Sequence, residues 1–291
     1  FDSLVLDSNG LRCRHTETSF EYGAEVTVQD ADGNRFSSYW WDATPMLKDL
    51  NIKDCGEIAF KRAMSQIGPV KIESGKYSMV IESEVASRLV TPVLNALGGY
   101  SLQQKNSFML DSLGKKMFPE WLNIWDRPVS VGETGSRLFD SEGVATAEMP
   151  IVENGVVKEY FVNTYMSRKM GVEATVEDAT RPVVLPCFAP SVAEPVEATC
   201  GKEGLMRIVG EGILVTGFNG GNSNSATGDF SFGVEGFLFK DGKIVHPVRE
   251  MLITGNLLTL WNNLLAAGND ARFCKSKLIP TLAFGNVDFS A

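Results

Sequence analysis

The sequence predicts an α+β fold in which a few helices are segregated from a mainly antiparallel sheet. Asn154-Gly155 and Asp241-Gly242 each separate two apolar runs, which is the pattern of tight hairpins between antiparallel strands. Helical periodicity is concentrated between residues 54 and 97, with one further short segment near the C-terminus. Strands and helices therefore occupy different parts of the chain, as in α+β proteins.

The first quarter of the chain opens with turn signals. Asp7–Gly10 and Asp32-Gly33 interrupt short apolar runs. Because Asp-Gly between alternating residues is a hairpin signal, we expect strands on either side of these turns.

A helix is predicted to follow, beginning after Asp54. Asp54 can cap it, and Glu57, three residues later, completes a capping box. Gly68-Pro69 is expected to end the helix. The apolar residues that recur at helical spacing are Phe60, Ala63, Met64 and Ile67.

A buried strand is predicted at Tyr77–Ile81, followed by a helix over Ser83–Leu97 that Gly98-Gly99 ends. Pro92 lies inside the helical pattern, and its ring removes a backbone donor and clashes one turn back. We therefore expect the helix to kink or break there. One face of this helix is expected to carry Val85, Leu89, Val93 and Ala96.

The later part of the chain is predicted to contain extended surface chain, a final helix near Asn256–Ala267 and a last strand around Leu278–Phe284. Four prolines without helical periodicity indicate the extended segment. These prolines are Pro182, Pro186, Pro190 and Pro195.

Composition describes a globular protein and excludes several classes. The chain has 291 residues with 44% hydrophobic and 22% charged residues, which excludes disorder and collagen-like repetition. Its 27 basic and 36 acidic residues give a net charge of −9, so the surface as a whole does not attract nucleic acid.

Five scattered cysteines predict reduced thiols and a cytoplasmic location. The chain lacks an initiator Met and a signal peptide, so we expect a piece of a longer protein. The uncharged stretch Met251–Asn269 carries Asn and Gly residues that hydrocarbon would penalise, so it predicts a soluble strand and helix without a membrane role.

Motifs for common catalytic chemistry are absent from the sequence. His15 and His246 are far apart, and there is no zinc helix or paired-cysteine motif. Cys187 and Cys200 lack local partners, which makes a zinc site the less favoured reading. His246 is expected to be an exposed strand residue, since no partner is marked that would make it a base. Nucleophile elbows and phosphate-binding loops are missing as well, and we predict no catalytic residue and no metal ligand in this chain.

One stretch is unusual in composition: Gly217–Gly233 is dense in Gly, Asn and Ser and uncharged up to Asp229. It is equally compatible with a flexible loop and with a backbone-lined groove that holds an extended peptide. For the groove, we expect Asp229 to accept backbone donors, and Gly221→Val to impair peptide turnover without harming the fold. The candidate groove residues are Gly220, Gly221, Asn222, Asn224, Ser225, Thr227, Gly228 and Asp229.

Long motifs in this chain resemble those of the TldD/PmbA family, in its PmbA branch (also called TldE), whose members were named as proposed modulators of DNA gyrase. The motifs are Ser107–Leu122 (SFMLDSLGKKMFPEWL), Phe139–Val144 (FDSEGV), Thr227–Gly233 (TGDFSFG), and Gly255–Leu257 (GNL) with Gly268–Asp270 (GND). The resemblance extends in order over residues 76–291. It implies a C-terminal β-rich domain there, and it makes residues 1–75 the end of an α/β N-terminal domain.

The resemblance also implies a role in cytoplasmic peptide processing. TldD-type subunits carry a His-Glu-x-x-x-His zinc helix and pair with PmbA-type subunits into a heterodimer that acts on peptides and unfolded polypeptides. Aligned with that helix, this chain has Val90, Thr91 and Asn95, none of which can ligate zinc or activate a metal-bound water. Zinc is therefore expected in a TldD-type partner and not in this chain.

Three classes of function follow. In the favoured one, the chain is a non-catalytic subunit that shapes the substrate cavity for a zinc-bearing partner. The alternatives are a peptidase with an unrecognised site and a binding protein that modulates gyrase or another target without hydrolysis. The isolated chain could also form a homodimer.

Overall fold

Two antiparallel hairpins begin the chain in the computed structural model, which describes residues 1–192 and 200–291. The first joins β1 (Asp2–Leu6) to β2 (Arg12–Thr16), and the second joins β3 (Phe20–Gln29) to β4 (Arg35–Thr44). In the first turn, an Asp7 carboxylate oxygen accepts the amides of residues 9 and 11 at 2.8 and 2.9 Å. Both hairpins predicted from the turn signals are confirmed.

The helix α1 (Cys55–Met64) begins where the sequence predicts it and ends at Met64, before the predicted stop at Gly68-Pro69. It packs on β3 and β4 through Cys55, Ala59 and Ala63. Phe60 and Met64, two of the apolar residues that recur at helical spacing, are exposed. Small residues at the contact let the helix approach the hairpin closely, and the larger side chains are left on the outside.

The predicted capping box of α1 is also wrong. The Asp54 side chain accepts no hydrogen bond from the first turn of the helix. The Asp54 carboxylate instead accepts the side-chain amide of Asn51 at 3.1 Å.

From residue 75 onward, five helices and eleven strands are found in the described part of the chain. The helices are α2 (Ser87–Ala96), α3 (Gly99–Gln103), α4 (Thr164–Met170), α5 (Lys202–Val209) and α6 (Leu257–Asn262). The strands are β5 (Gly75–Ile81), β6 (Ile124–Asp126), β7 (Met149–Glu153), β8 (Val156–Val157), β9 (Pro182–Val184), β10 (Cys187–Phe188), β11 (Gly212–Ser223), β12 (Asp229–Lys240), β13 (Lys243–Asn256), β14 (Leu264–Ala267) and β15 (Leu282–Ser290).

The large sheet has the strand order β10-β14-β15-β13-β12-β11-β5, and β5 also pairs with β15. The second pairing closes the sheet on itself. Only the β5–β11 pair is parallel among the strand pairs described for this sheet. A smaller sheet has the order β8-β7-β6-β9. The predicted α+β class, with a mainly antiparallel sheet and few helices, is confirmed.

The two tight hairpins from which the α+β class is predicted, at Asn154-Gly155 and Asp241-Gly242, have the expected turn geometry. Asn154 and Gly155 have φ of 51° and 75°, and Asp241 and Gly242 have φ of 52° and 70°. Positive φ at both central residues is the signature of a type I′ turn, whose twist matches that of the flanking strands.

The sequence predicts a kink or a break at Pro92; the helix α2 runs through Pro92 without a break, so the break is wrong. It also begins at Ser87 and not at Ser83, because residues 83–86 form a turn whose amides of Val85 and Ala86 donate to the Glu82 carbonyl. Packing compensates for the backbone donor that Pro92 lacks. The residues of α2 buried in the core are Leu89, Val90, Val93, Leu94 and Ala96. Trp261 of α6, fully buried, donates its indole N–H to the Leu89 carbonyl at 3.3 Å and thereby joins α6 to α2.

Three predictions for the later chain are corrected. The predicted final helix ends at Asn262, and Leu264–Ala267 is a strand. The last strand runs from Leu282 to Ser290, several residues beyond the predicted one. Pro182 begins β9, a buried edge strand of the smaller sheet, so this part of the predicted surface loop is wrong. Proline is tolerated there because it takes the first position of an edge strand. Pro195 lies outside the described residues.

Candidate functional site

A cavity of about 1030 Å³ lies between the N-terminal hairpin-and-helix unit and the large sheet. Its walls come from β4, the end of α1, the chain from Glu82 to Asn95, and strands β11, β12 and β13. The cavity thus collects residues that are distant in sequence. We call it the first cavity.

The strand β11 presents an unpaired edge to the first cavity. β5 pairs with β11 only from Ile213 to Val215, whereas β12 continues along the other side of β11 as far as Ser223. Beyond Val215, no strand of the described residues pairs with this edge. The residues of this stretch that line the cavity are Thr216, Gly217, Phe218, Asn222 and Ser223.

The three positions that the family resemblance aligns with a zinc helix lie on α2, and two of them line the first cavity. Val90 is fully buried in the core, while Thr91 and Asn95 line the cavity. The Thr91 hydroxyl accepts a hydrogen bond from the ammonium of Lys277 at 3.0 Å. A buried Val, a Thr held by an ammonium and an Asn do not fit zinc, which needs imidazole, thiolate or carboxylate ligands. Within residues 1–192 and 200–291, no group of three or more His, Cys, Asp or Glu side chains is placed to hold a metal.

The Gly/Asn/Ser stretch divides into two structural parts. Gly220, Gly221 and Asn222 belong to the strand β11, and Asn222 lines the first cavity. The remaining candidates belong to the turn after β11, or to the first residue of β12, and do not line this cavity. They are Asn224, Ser225, Thr227, Gly228 and Asp229.

The polar side chains of that turn are used to stabilise it. The Asn224 side-chain oxygen accepts the amide of Ala226 at 2.9 Å. The Asp229 carboxylate accepts the Thr227 hydroxyl at 2.7 Å and the Asn256 side-chain amide at 3.0 Å. These hydrogen bonds, from Asn256 and then Thr227, hold the pKa of Asp229 below its ordinary value. The expectation that Asp229 accepts backbone donors is wrong, because its oxygens are taken by these side chains.

Gly221 is required by the backbone, and this corrects the expectation that Gly221→Val would leave the fold intact. Its φ is 86°, and a Cβ there would overlap the Ser231 carbonyl oxygen and lie 2.7 Å from the Phe232 Cα. The Gly221 carbonyl accepts the guanidinium of Arg88 at 2.8 Å. Arg88 in turn lies 5.0 Å from the centre of the Phe232 ring, so it joins α2 to the sheet.

Two buried carboxylates on the cavity wall were not found by sequence reasoning. Glu82 receives hydrogen bonds from Arg62 at 3.0 and 2.7 Å and from Lys202 at 2.9 Å. Glu84 pairs with Arg272 and with Lys275. Each cluster joins segments far apart in the chain, so no local motif marks it.

The pKa of Glu82 reflects the competition between its burial and its partners. Burial alone would raise it, but the hydrogen bonds and charge of Arg62, together with Lys202, hold it below its ordinary value. Glu82 is therefore ionised at neutral pH.

A second cavity of about 800 Å³ borders the same helix. Asn95 lines both cavities, and Lys277, whose ammonium reaches Thr91, lines the second. Asp178 also lines it, and burial raises the pKa of Asp178 above its ordinary value. The face of α2 that carries Thr91 and Asn95 therefore separates two cavities.

The remaining sequence candidates lie away from the first cavity. His246 is exposed on β13, opposite Leu238, as predicted; its lack of a catalytic role stays a prediction. Cys187 is buried on β10, and burial raises the pKa of its thiol to about 11. None of the five cysteines, all within the described residues, forms a disulfide. No helix of residues 1–192 and 200–291 has the length and hydropathy needed to cross a membrane.

Two family models match consecutive parts of the chain. Residues 2–67 match the PmbA/TldA metallopeptidase central domain, and residues 74–291 match the PmbA/TldA metallopeptidase C-terminal domain.

Known proteins are similar along most of this chain. A Haemophilus influenzae protein named metalloprotease PmbA homolog is 35% identical over 215 residues, which cover 74% of this chain and 46% of that protein. Metalloprotease PmbA of Escherichia coli O157:H7 is 30% identical over 267 residues, which cover 89% of this chain and 57% of that protein. This chain thus spans about half the length of these curated relatives. A crystal structure from Bacteroides thetaiotaomicron, named a candidate modulator of DNA gyrase, superposes with a TM-score of 0.91 at 43% identity and covers 98% of this chain and 62% of that one.

Proposed function

The chain belongs to the PmbA/TldD metallopeptidase family, in its PmbA branch, and from this premise we propose that it is a peptide-binding, non-catalytic subunit of a cytoplasmic metallopeptidase complex. In this proposal, a TldD-type partner supplies the zinc helix and the hydrolysis. This chain supplies a wall of the cavity that holds the peptide.

The observation that carries the proposal is the chemistry of α2. At the positions aligned with the zinc helix, Val90 is in the core and Thr91 accepts the Lys277 ammonium. Neither side chain ligates zinc or acts as the carboxylate base that activates a metal-bound water. The residues of this chain therefore favour a binding role over a hydrolytic one.

The unpaired edge of β11 supports peptide as the ligand. An extended peptide can add to an open strand edge through main-chain hydrogen bonds, which select extended shape and not a particular sequence. The edge beyond Val215 faces the first cavity, where Asn222 and Ser223 offer further polar groups. Such a site suits peptides and unfolded polypeptides of varied sequence.

Two other functions have specific support. The relatives are named metalloproteases, which favours a peptidase. Part of its active site would then lie in the region of those proteins that has no counterpart in this chain. The name of the Bacteroides structure favours binding to gyrase. A net charge of −9 gives no support to an action through DNA.

Purification of the native protein and peptide assays test the proposal. We expect a zinc-helix subunit to co-purify, and we expect hydrolysis of an unfolded polypeptide only in the presence of that subunit. Hydrolysis by the protein alone that depends on added zinc would favour the peptidase alternative. A stable complex with gyrase, without hydrolysis, would favour the third function.

A substitution tests the contribution of the cavity itself. Asn222 is exposed and lines the first cavity, so Asn222→Trp fills space there with little demand on the core. We expect it to lower peptide turnover by the complex at least about tenfold, as loss of main-chain contacts implies. Asn9→Trp, in the exposed turn after β1, is the matched control and should leave turnover unchanged. Equal turnover of both variants would remove the first cavity from the peptide path.

A further inference from the structure

Two cationic groups beside α2 lack a carboxylate partner among the described residues: Arg88 lines the first cavity, and Lys277 lines the second cavity while its ammonium reaches Thr91 on the wall of the first. Lys277 forms no ion pair with any described residue, and its ammonium donates to the Thr91 hydroxyl at 3.0 Å. Arg88, one turn before Thr91, likewise forms no ion pair within residues 1–192 and 200–291, and donates to the Gly221 carbonyl. An ammonium has three donors, so Lys277 has hydrogen-bonding capacity beyond Thr91.

Carboxylates on the wall of the first cavity do not compensate these two charges. Glu82 is held by Arg62 and Lys202, and Glu84 by Arg272 and Lys275. The third acid on this wall, Glu235, lies 3.9 Å from the Arg249 guanidinium. Each of these acids already has a cationic partner, and Glu82 and Glu84 have two, so their repulsion of an incoming anion is weakened. Three acids line the second cavity, and no described ion pair joins any of them to Lys277. They are Glu17, Asp140 and Asp178.

Resting on the proposed function, we propose that Lys277, positioned by Thr91 and assisted by Arg88, binds the C-terminal carboxylate of the peptide. A half-buried ammonium without a counter-ion gains from an anionic partner, because a charge-assisted hydrogen bond replaces lost hydration. The open edge of β11 can hydrogen-bond only to the main chain of a peptide. The C-terminal carboxylate is the one anion that peptides of any sequence share. The fixed positive charge of Lys277 thus lies at the α2 positions aligned with the metal helix.

The site therefore selects the end of a chain. Asn95, which lines both cavities one turn after Thr91, can donate its side-chain amide to the same carboxylate group. A peptide with an amidated C-terminus would keep the main-chain contacts and lack the negative charge of the carboxylate. The difference between the two ligands isolates the contribution of Lys277.

Fluorescence anisotropy with an N-terminally labelled Val/Ser/Gly peptide tests this inference on the purified protein. The peptide is used as the free acid and as the C-terminal amide, and the amide is also prepared with one internal Asp. We expect the free acid to bind about tenfold more tightly than the amide, as a hydrogen bond to a charged group implies. The amide that carries the internal Asp should bind as weakly as the plain amide.

Lys277→Met keeps most of the apolar stem and removes the charge, and we expect it to bind the acid and the amide equally. Lys48→Met, at an exposed lysine outside both cavities, should keep the wild-type preference. Thermal melting checks that both variants are folded. If Lys277→Met melts early, Lys277→Gln is used in the same comparison.

The possible failures are distinct. Equal binding of acid and amide by the wild-type protein overturns the carboxylate site and leaves peptide binding in place. A preference that persists in the folded Lys277 variant also overturns it, and a preference restored by the internal Asp assigns the site to acidic side chains. Absence of binding by every peptide overturns both this inference and the proposed function.

Discussion

The guanidinium of Arg62 donates two hydrogen bonds to the carboxylate of Glu82, with N···O distances of 3.0 and 2.7 Å. Arg62 lies on α1 and Glu82 directly follows β5, so the pair joins the N-terminal helix to the closed sheet. Lys202, at the start of α5, completes the cluster. Both partners line the first cavity, and the pair therefore sets the distance between two of its walls.

Glu82→Gln should destabilise the protein at neutral pH by about 3 kcal/mol, because two cations lose their buried partner. The pKa of Glu82 is lowered in the folded state, so its contribution is present above the ordinary carboxyl pKa and is lost as pH falls through the folded value. The difference between wild type and variant should thus shrink in acid. Urea unfolding at pH 7 and below pH 4 measures it.

Glu57→Gln is the matched control, since Glu57 forms an exposed pair with Lys61 on the same helix. Exposed pairs of this kind contribute about 0–0.5 kcal/mol. Equal losses in the two variants would contradict a special role for the Glu82 cluster.

Gly221→Ala should lower the free energy of unfolding by about 2–4 kcal/mol, because the new Cβ meets the backbone of Ser231 and Phe232. Gly68→Ala is the control: Gly68 also has positive φ, at 77°, but no atom lies within 4 Å of a Cβ there. The control should cost about 1 kcal/mol, from backbone strain alone. A Gly221 variant as stable as the control would contradict the close approach of β11 and β12.

The protein purified alone, without chelators, is expected to hold no stoichiometric zinc. Val90, Thr91 and Asn95 offer none of the ligands that zinc requires. Elemental analysis measures the metal content after dialysis against zinc-free buffer. A content of about one zinc per chain would contradict this prediction and would direct attention to ligands outside the described residues.

His246→Ala should leave peptide turnover by the proposed complex with a zinc-bearing subunit unchanged. His246 is exposed on β13, and it lies outside both cavities. Steady-state peptide turnover measures the effect, with a melting curve as the control for folding. Loss of turnover in a normally folded variant would place His246 in the catalytic machinery after all.

Predictions from the sequence succeeded where the cause is local. The turns at Asn154-Gly155 and Asp241-Gly242 need positive φ at both central residues, a property of a few residue types that does not depend on the rest of the fold. The existence of α2 also follows from periodicity, although Pro92 misleads about its continuity. Local propensity was overridden there because burial of Leu89 and Val93 stabilises the helix on both sides of the proline.

Predictions failed or stayed incomplete where the outcome depends on what packs against a segment. The helical spacing of Phe60 and Met64 does not reveal the buried face of α1, which approaches its hairpin through Ala59 and Ala63. Leu264–Ala267 continues an apolar pattern after α6 and becomes a strand because β15 and β10 lie beside it. Pairing partners of this kind come from distant parts of the chain, and spacing alone does not reveal them.

The sequence by itself determined the α+β class, the tight hairpins, the resemblance to a family and the lack of zinc ligands at Val90, Thr91 and Asn95. Only the tertiary structure decided which of these residues face a cavity, that β11 has an open edge there, and that Thr91 meets a lysine. Thr91 and Lys277 are separated by 186 residues. Residue types and local spacing are properties of short segments, whereas a binding site is formed by contacts between segments that only folding brings together.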